Sequence, residues 1–125
     1  MYGNDITTNI TKPTTISNIK EFVKIPLVQN VDGINTTQEE VDFFLNVLQR
    51  IPEEYKEYIY CRDFKGFFGI FYTKSAQKCI CKVFFNKTKK QIGFFVDGKL
   101  VKESFSEEYS FMEKIITRIQ ELHNI

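Results

Sequence analysis

The chain predicts an α+β fold: a five-stranded antiparallel meander sheet with an N-terminal and a C-terminal helix packed on one of its faces. Three observations predict it. A capped amphipathic helix begins near residue 37, five short β-prone runs with turn signals between them fill the middle, and a second amphipathic stretch closes the chain. Connections of two to five residues permit only antiparallel neighbours. Two helices with one apolar stripe each bury those stripes against the sheet.

Residues 1–35 read as a linker or extended arm, rich in Thr, Asn and Ile, and residues 36–125 as an α+β accessory domain. Within the arm, Lys20 to Val28 suggests a short strand or turn interrupted by Pro26. Thr37-Gln38-Glu39-Glu40 fits a capping box, in which the hydroxyl accepts a backbone N–H and the Glu three residues on reaches back. Val41, Phe44, Leu45 and Leu48 follow at helical spacing, and Ile51-Pro52 ends the helix. The strands are Tyr58–Phe64, Phe67–Thr73, Lys78–Phe85, Gln91–Val96 and Lys99–Ser104. Asp97-Gly98, between the last two, is the strongest hairpin signal in the chain. Ser106 reads as the cap of the closing helix, with Glu107 and Glu108 in its first turn and Met112, Ile115, Ile116, Ile119 and Leu122 as its stripe.

Net charge is only +1, but it is unevenly distributed. Lys56 to Lys102 holds eleven Lys/Arg against Glu57, Asp63 and Asp97, a net +8, and the remainder holds six basic and thirteen acidic residues, a net −7. Two readings fit: an electrostatic footprint for a polyanion, or a solvated sheet face balanced by acidic helices. Thirteen Phe and six Tyr supply bulk for a dense core. No apolar run approaches the roughly 18 residues of a membrane span, and Met1–Ile10 lacks a secretory pattern. With an odd number of cysteines, these features predict reduced thiols and a cytoplasmic location.

Alternation sorts the faces. In the third strand it sets Cys79, Cys81, Val83 and Phe85 towards the helices, against Lys78, Ile80, Lys82, Phe84 and Asn86. In the first it sets Ile59, Cys61 and Asp63 against Tyr58, Tyr60, Arg62 and Phe64. The second sets mix cations with aromatic rings, which suits nucleic acid: Lys and Arg neutralise phosphates, and rings stack unpaired bases. The candidate binding residues are Tyr60, Arg62, Lys65, Lys78, Lys82, Phe84, Lys87, Lys89 and Lys90. The competing reading covers the same rings with the N-terminal arm or with another protein.

Catalytic patterns are incomplete. Asp63 followed by Ile80-Cys81-Lys82 lacks the second carboxylate that a metal-dependent nuclease needs. Cys79-x-Cys81 has no second ligand pair for zinc. His123 is the only histidine, and Gly66-x-x-Gly69 does not precede a helix. No catalytic residue, metal or cofactor is predicted.

Arg62-Asp63, Gly66-Phe67-Phe68-Gly69-Ile70, Cys79-x-Cys81-Lys82-Val83-Phe84-Phe85-Asn86 and Lys89-Lys90-Gln91-Ile92-Gly93 occur in that order. Together they resemble the C-terminal region of predicted restriction endonucleases related to the N-terminal nuclease part of type I restriction subunits. The resemblance covers about residues 36 to 123, with a Thr-x-x-Glu helix first and an amphipathic helix last, and departs at Lys82, where Arg is expected. It implies a restriction-associated setting, carries over no catalytic residue, and points to an upstream nuclease domain or subunit as partner. The expected function is therefore non-catalytic binding of nucleic acid, DNA ahead of RNA, through the basic aromatic face. The alternatives are a protein-interaction or homodimerisation module using that face and, more weakly, a nuclease with an unrecognised arrangement of ligands.

Overall fold

The computed structural model describes residues 21–31, 33–85 and 88–124. A small hairpin of β1 (Gln29–Val31) and β2 (Ile34–Thr36) leads into helix α1 (Gln38–Arg50) and a single turn, α2 (Glu53–Lys56). Five strands follow: β3 (Ile59–Asp63), β4 (Phe68–Tyr72), β5 (Cys79–Phe84), β6 (Gln91–Val96) and β7 (Lys99–Ser104). Helix α3 (Met112–His123) closes the chain. The sheet order is β3-β4-β5-β6-β7 and every neighbouring pair is antiparallel. The predicted meander is the observed one.

Local chemistry explains the boundaries. The capping box at Thr37 is complete: Glu40 N–H donates to Thr37 Oγ1 at 3.2 Å, and Thr37 N–H donates to Glu40 Oε1 at 2.9 Å. Ile51, held extended before Pro52, ends α1. Asp97 and Gly98 both take positive φ, 52° and 78°, as a tight turn matched to strand twist requires.

Both helices lie on one face of the sheet. Phe43, Phe44 and Val47 of α1 and Ile115, Ile119 and Leu122 of α3 are buried in one cluster with Cys61, Phe68, Ile70, Cys81, Val83 and Ile92. Edge-on ring contacts of Phe43 with Phe85 (5.7 Å) and of Phe85 with Phe105 (4.9 Å) lock the end near α1.

Three details depart from the expected pattern. Pairing shifts between Ile70↔Cys81 and Phe71↔Cys79, so Ile80 is the extra residue of a bulge. The bulge puts Ile80 into the core beside Cys81 and turns Cys79 away to stand opposite Phe71, reversing the expected faces of both. Tyr58 precedes the pleat of β3 and packs against the helix-side core, with its ring 5.5 Å from that of Tyr72. Ser106 caps a turn and not the helix: its hydroxyl accepts from Glu108 and Ser110, and Tyr109 then takes φ 57° before α3 starts at Met112.

The end of the arm joins the domain. Val23 forms a two-way backbone bridge with Cys61, 2.9 Å each way, along the outer edge of β3. No helix among the described residues is long and apolar enough to cross a membrane.

Candidate nucleic-acid interface

The face opposite the helices is organised by register. Arg62 opposes Gly69, Gly69 opposes Lys82, Lys82 opposes Gly93, and Gly93 opposes Lys102. One row across all five strands therefore reads Arg-Gly-Lys-Gly-Lys, with its three cations separated by glycines. Strands lie about 4.8 Å apart, so the row spans about 20 Å. A row further on, Phe67 and Phe84 lie near each other, 6.0 Å between ring centres, and Phe67 stacks on Phe64 at 4.5 Å.

Cations and rings interlock on this face. The Arg62 guanidinium lies 4.8 Å from the Phe64 ring centre and 5.4 Å from that of Phe22. Lys82 Nζ is 4.3 Å from Phe67 and 5.4 Å from Phe95, and Lys102 Nζ is 4.3 Å from Phe84. Tyr60 has Lys24 at 4.7 Å and Lys74 at 5.7 Å. Such contacts hold each charge over an apolar floor at about 0.5–1 kcal/mol each. Among the described residues, Arg62 Nε is buried and has no hydrogen-bond partner.

The glycines leave room for this floor. A Cβ on Gly69 would come within 2.6 Å of Phe71 Cε1, in a ring that is itself buried. A Cβ on Gly93 would approach only the end of the Leu100 side chain, at 2.9 Å.

The predicted site residues separate into groups. Tyr60, Arg62 and Lys82 share the helix-free face, all half-buried. Phe84 is on that face too but, against expectation, is buried under Lys102, at 8% exposure, and offers no open stacking platform. Lys78, expected to be exposed, is half-buried just before β5. Lys89 is exposed in the β5–β6 turn, and Lys87 lies outside the described residues. Lys90 is ion-paired with Glu39 of α1, which raises its pKa and occupies its charge. Lys65 is exposed at the β3–β4 turn, beside Gly33 of the hairpin. Lys102, absent from the predicted set, completes the row. Its membership follows from the pairing of β6 with β7, which alternation within one strand does not reveal.

A second polar cluster lies on the helix side. Asp63 and Glu40 are both nine-tenths buried and line a cavity of about 120 Å³ with Lys65, Thr37 and Asn35. Thr36 Oγ1 donates to Asp63 Oδ2, tying the hairpin to β3. Burial pushes the Glu40 carboxyl up to about 7, with a contribution from Asp63, and burial pushes Asp63 up to about 6. Asp63 faces the helices while Lys82 stands on the opposite face, so these two do not meet. Cys79 and Cys81 also point to opposite faces, and burial pushes both thiols up, Cys79 to about 11. Among the described residues no three His, Cys, Asp or Glu side chains are grouped to hold a metal.

No protein-family model matches the chain, and neither a curated protein nor a solved structure matches it.

Proposed function

We propose that the helix-free face binds nucleic acid, DNA ahead of RNA, through its phosphates, as a non-catalytic accessory domain of restriction-type machinery. The observation that carries this reading is the Arg62–Lys82–Lys102 row, three cations aligned across five strands on the face the helices leave open. The net +8 of Lys56 to Lys102 adds a field that draws a polyanion towards it. The rings act here as a floor that positions cations, and phosphate contact is the main source of affinity. The stacking role is assigned to Tyr60, which is half-buried where Phe84 is buried. The motif resemblance supports the restriction setting, with an upstream nuclease domain or subunit as partner.

The competing reading, a protein-interaction module on the same face, draws on Phe22, whose ring packs edge-on against Phe71 at 5.0 Å. A segment outside the sheet thus already docks on this aromatic surface. Salt separates the two: phosphate binding weakens steeply as salt rises, whereas aromatic docking does not. Fluorescence anisotropy with labelled oligonucleotides over a salt series is the deciding experiment.

A further inference from the structure

The two edges of the sheet are treated differently. β3 is partnered by Val23, while among the described residues no strand pairs with the outer edge of β7. An open edge presents a row of free backbone N–H and C=O groups and is a template for another strand. Beside it, on the helix side, Val96 and Val101 are about half exposed, at 53% and 50%.

We propose that this edge pairs with β7 of a second copy of the chain, antiparallel about a two-fold axis at Val101. The sequence of the strand selects both the occupant and the register. Lys99, Val101 and Glu103 face the helix side, because they pair with Val96, Phe94 and Ile92. With Val101 opposite its own copy, Lys99 stands opposite Glu103 of the other chain at both ends, and the Val101 side chains of the two copies meet between the ion pairs. Leu100 and Lys102 oppose each other on the other face. The neighbouring registers that also keep both helix layers on one side are worse. One sets Lys102 against Lys102, and the other sets Lys99 against Val101 without an ion pair. Like charges directly opposed destabilise a strand pair, and opposite charges support it. Lys114 is ion-paired with Glu103 through Oε1 in the chain itself, which holds that carboxylate on the helix side and leaves its second oxygen for Lys99 of the other copy.

The result is a continuous ten-stranded sheet with two basic rows side by side. The contact is one strand wide, so the dimer is weak and concentration-dependent. Its existence does not depend on the nucleic-acid reading. Val101 and Lys99 face away from the Arg62–Lys82–Lys102 row, so losing the dimer and losing nucleic-acid binding are separately readable.

The test is sedimentation velocity of the full chain from micromolar to millimolar concentration. A monomer–dimer equilibrium is expected. Val101→Lys and Lys99→Glu are each expected to weaken it about tenfold or more, because the first sets two like charges against each other on the axis and the second breaks both ion pairs. The exchange Lys99→Glu with Glu103→Lys, made together with Lys114→Glu so that the pair within the chain is kept, is expected to restore association, an outcome that a merely misfolded variant cannot give. A chain that stays monomeric throughout would overturn the proposal. So would a dimer of unchanged strength in both single variants.

Discussion

Lys82 and Gly69 stand directly opposite each other in the β4–β5 ladder. The Phe71 ring occupies the space where a side chain on residue 69 would begin, and the Lys82 ammonium rests 4.3 Å from the neighbouring Phe67 ring. A glycine chosen for close approach thus carries a cation on an aromatic floor, linking backbone chemistry to the surface potential of the face.

Gly69→Ala is therefore expected to destabilise the fold by about 1–3 kcal/mol, the usual cost of overpacking against buried rings. Gly93→Ala meets only the mobile end of Leu100 and is expected to cost less than about 1 kcal/mol by the same reasoning. Urea titration of both variants checks the contrast. Equal losses would show that the Phe71 ring moves freely.

Phe44 is fully buried in the helix–sheet core. Phe44→Ala is expected to cost about 3–5 kcal/mol, as deletion of a buried Phe does. That is a large part of a small domain's stability. A loss below about 1 kcal/mol would mean the α1 face is not packed as described.

The Glu40 and Asp63 carboxyls have folded-state pKa values raised above their unfolded ones, from 4.5 to about 7 and from 3.8 to about 6. The folded chain therefore holds more protons than the unfolded chain between about pH 4 and 7, and stability falls as pH rises through that window. Glu40→Gln keeps the capping box, which accepts Gln as readily as Glu, and removes the buried charge. It is expected to gain about 2 kcal/mol above pH 7 and almost nothing near pH 4. Thermal melts at the two pH values decide it; a gain independent of pH would show that burial is not the cause.

The isolated chain is expected not to cleave DNA with Mg²⁺ or Mn²⁺, because Asp63 and Lys82 project from opposite faces of the sheet. Metal-dependent cleavage that survives repurification and is abolished by Asp63→Ala would contradict this. Such cleavage would place a metal at the Asp63–Glu40 cavity.

Much of the fold was legible in the sequence because its signals are local. Thr37 to Glu40 marks a helix start by its own hydrogen bonds, and Asp97-Gly98 marks a hairpin by backbone conformation, so β6 and β7 were read to the residue. The bulge at Ile80 was hidden because Cys79, Ile80 and Cys81 are all apolar, so the alternation set by Lys78 and Lys82 runs through them with no polar residue to mark the slip. The hairpin Gln29–Thr36 was missed because strands of three residues carry too little pattern. The burial of Phe84 and the inclusion of Lys102 depend on neighbouring strands. Those relationships exist only once the register is set.

The central claim is that the Arg62–Lys82–Lys102 row contacts phosphates. Its most direct test is the salt dependence of oligonucleotide binding, followed by fluorescence anisotropy, for the native chain and for Arg62→Ala, Lys82→Ala and Lys102→Ala. Each alanine variant is expected to weaken binding to all sequences alike and to lower the slope of log affinity against log salt by about 1. Tyr60→Ala is expected to weaken single-strand binding with little change in slope. No binding at low salt, or a slope indifferent to all three substitutions, would contradict the account.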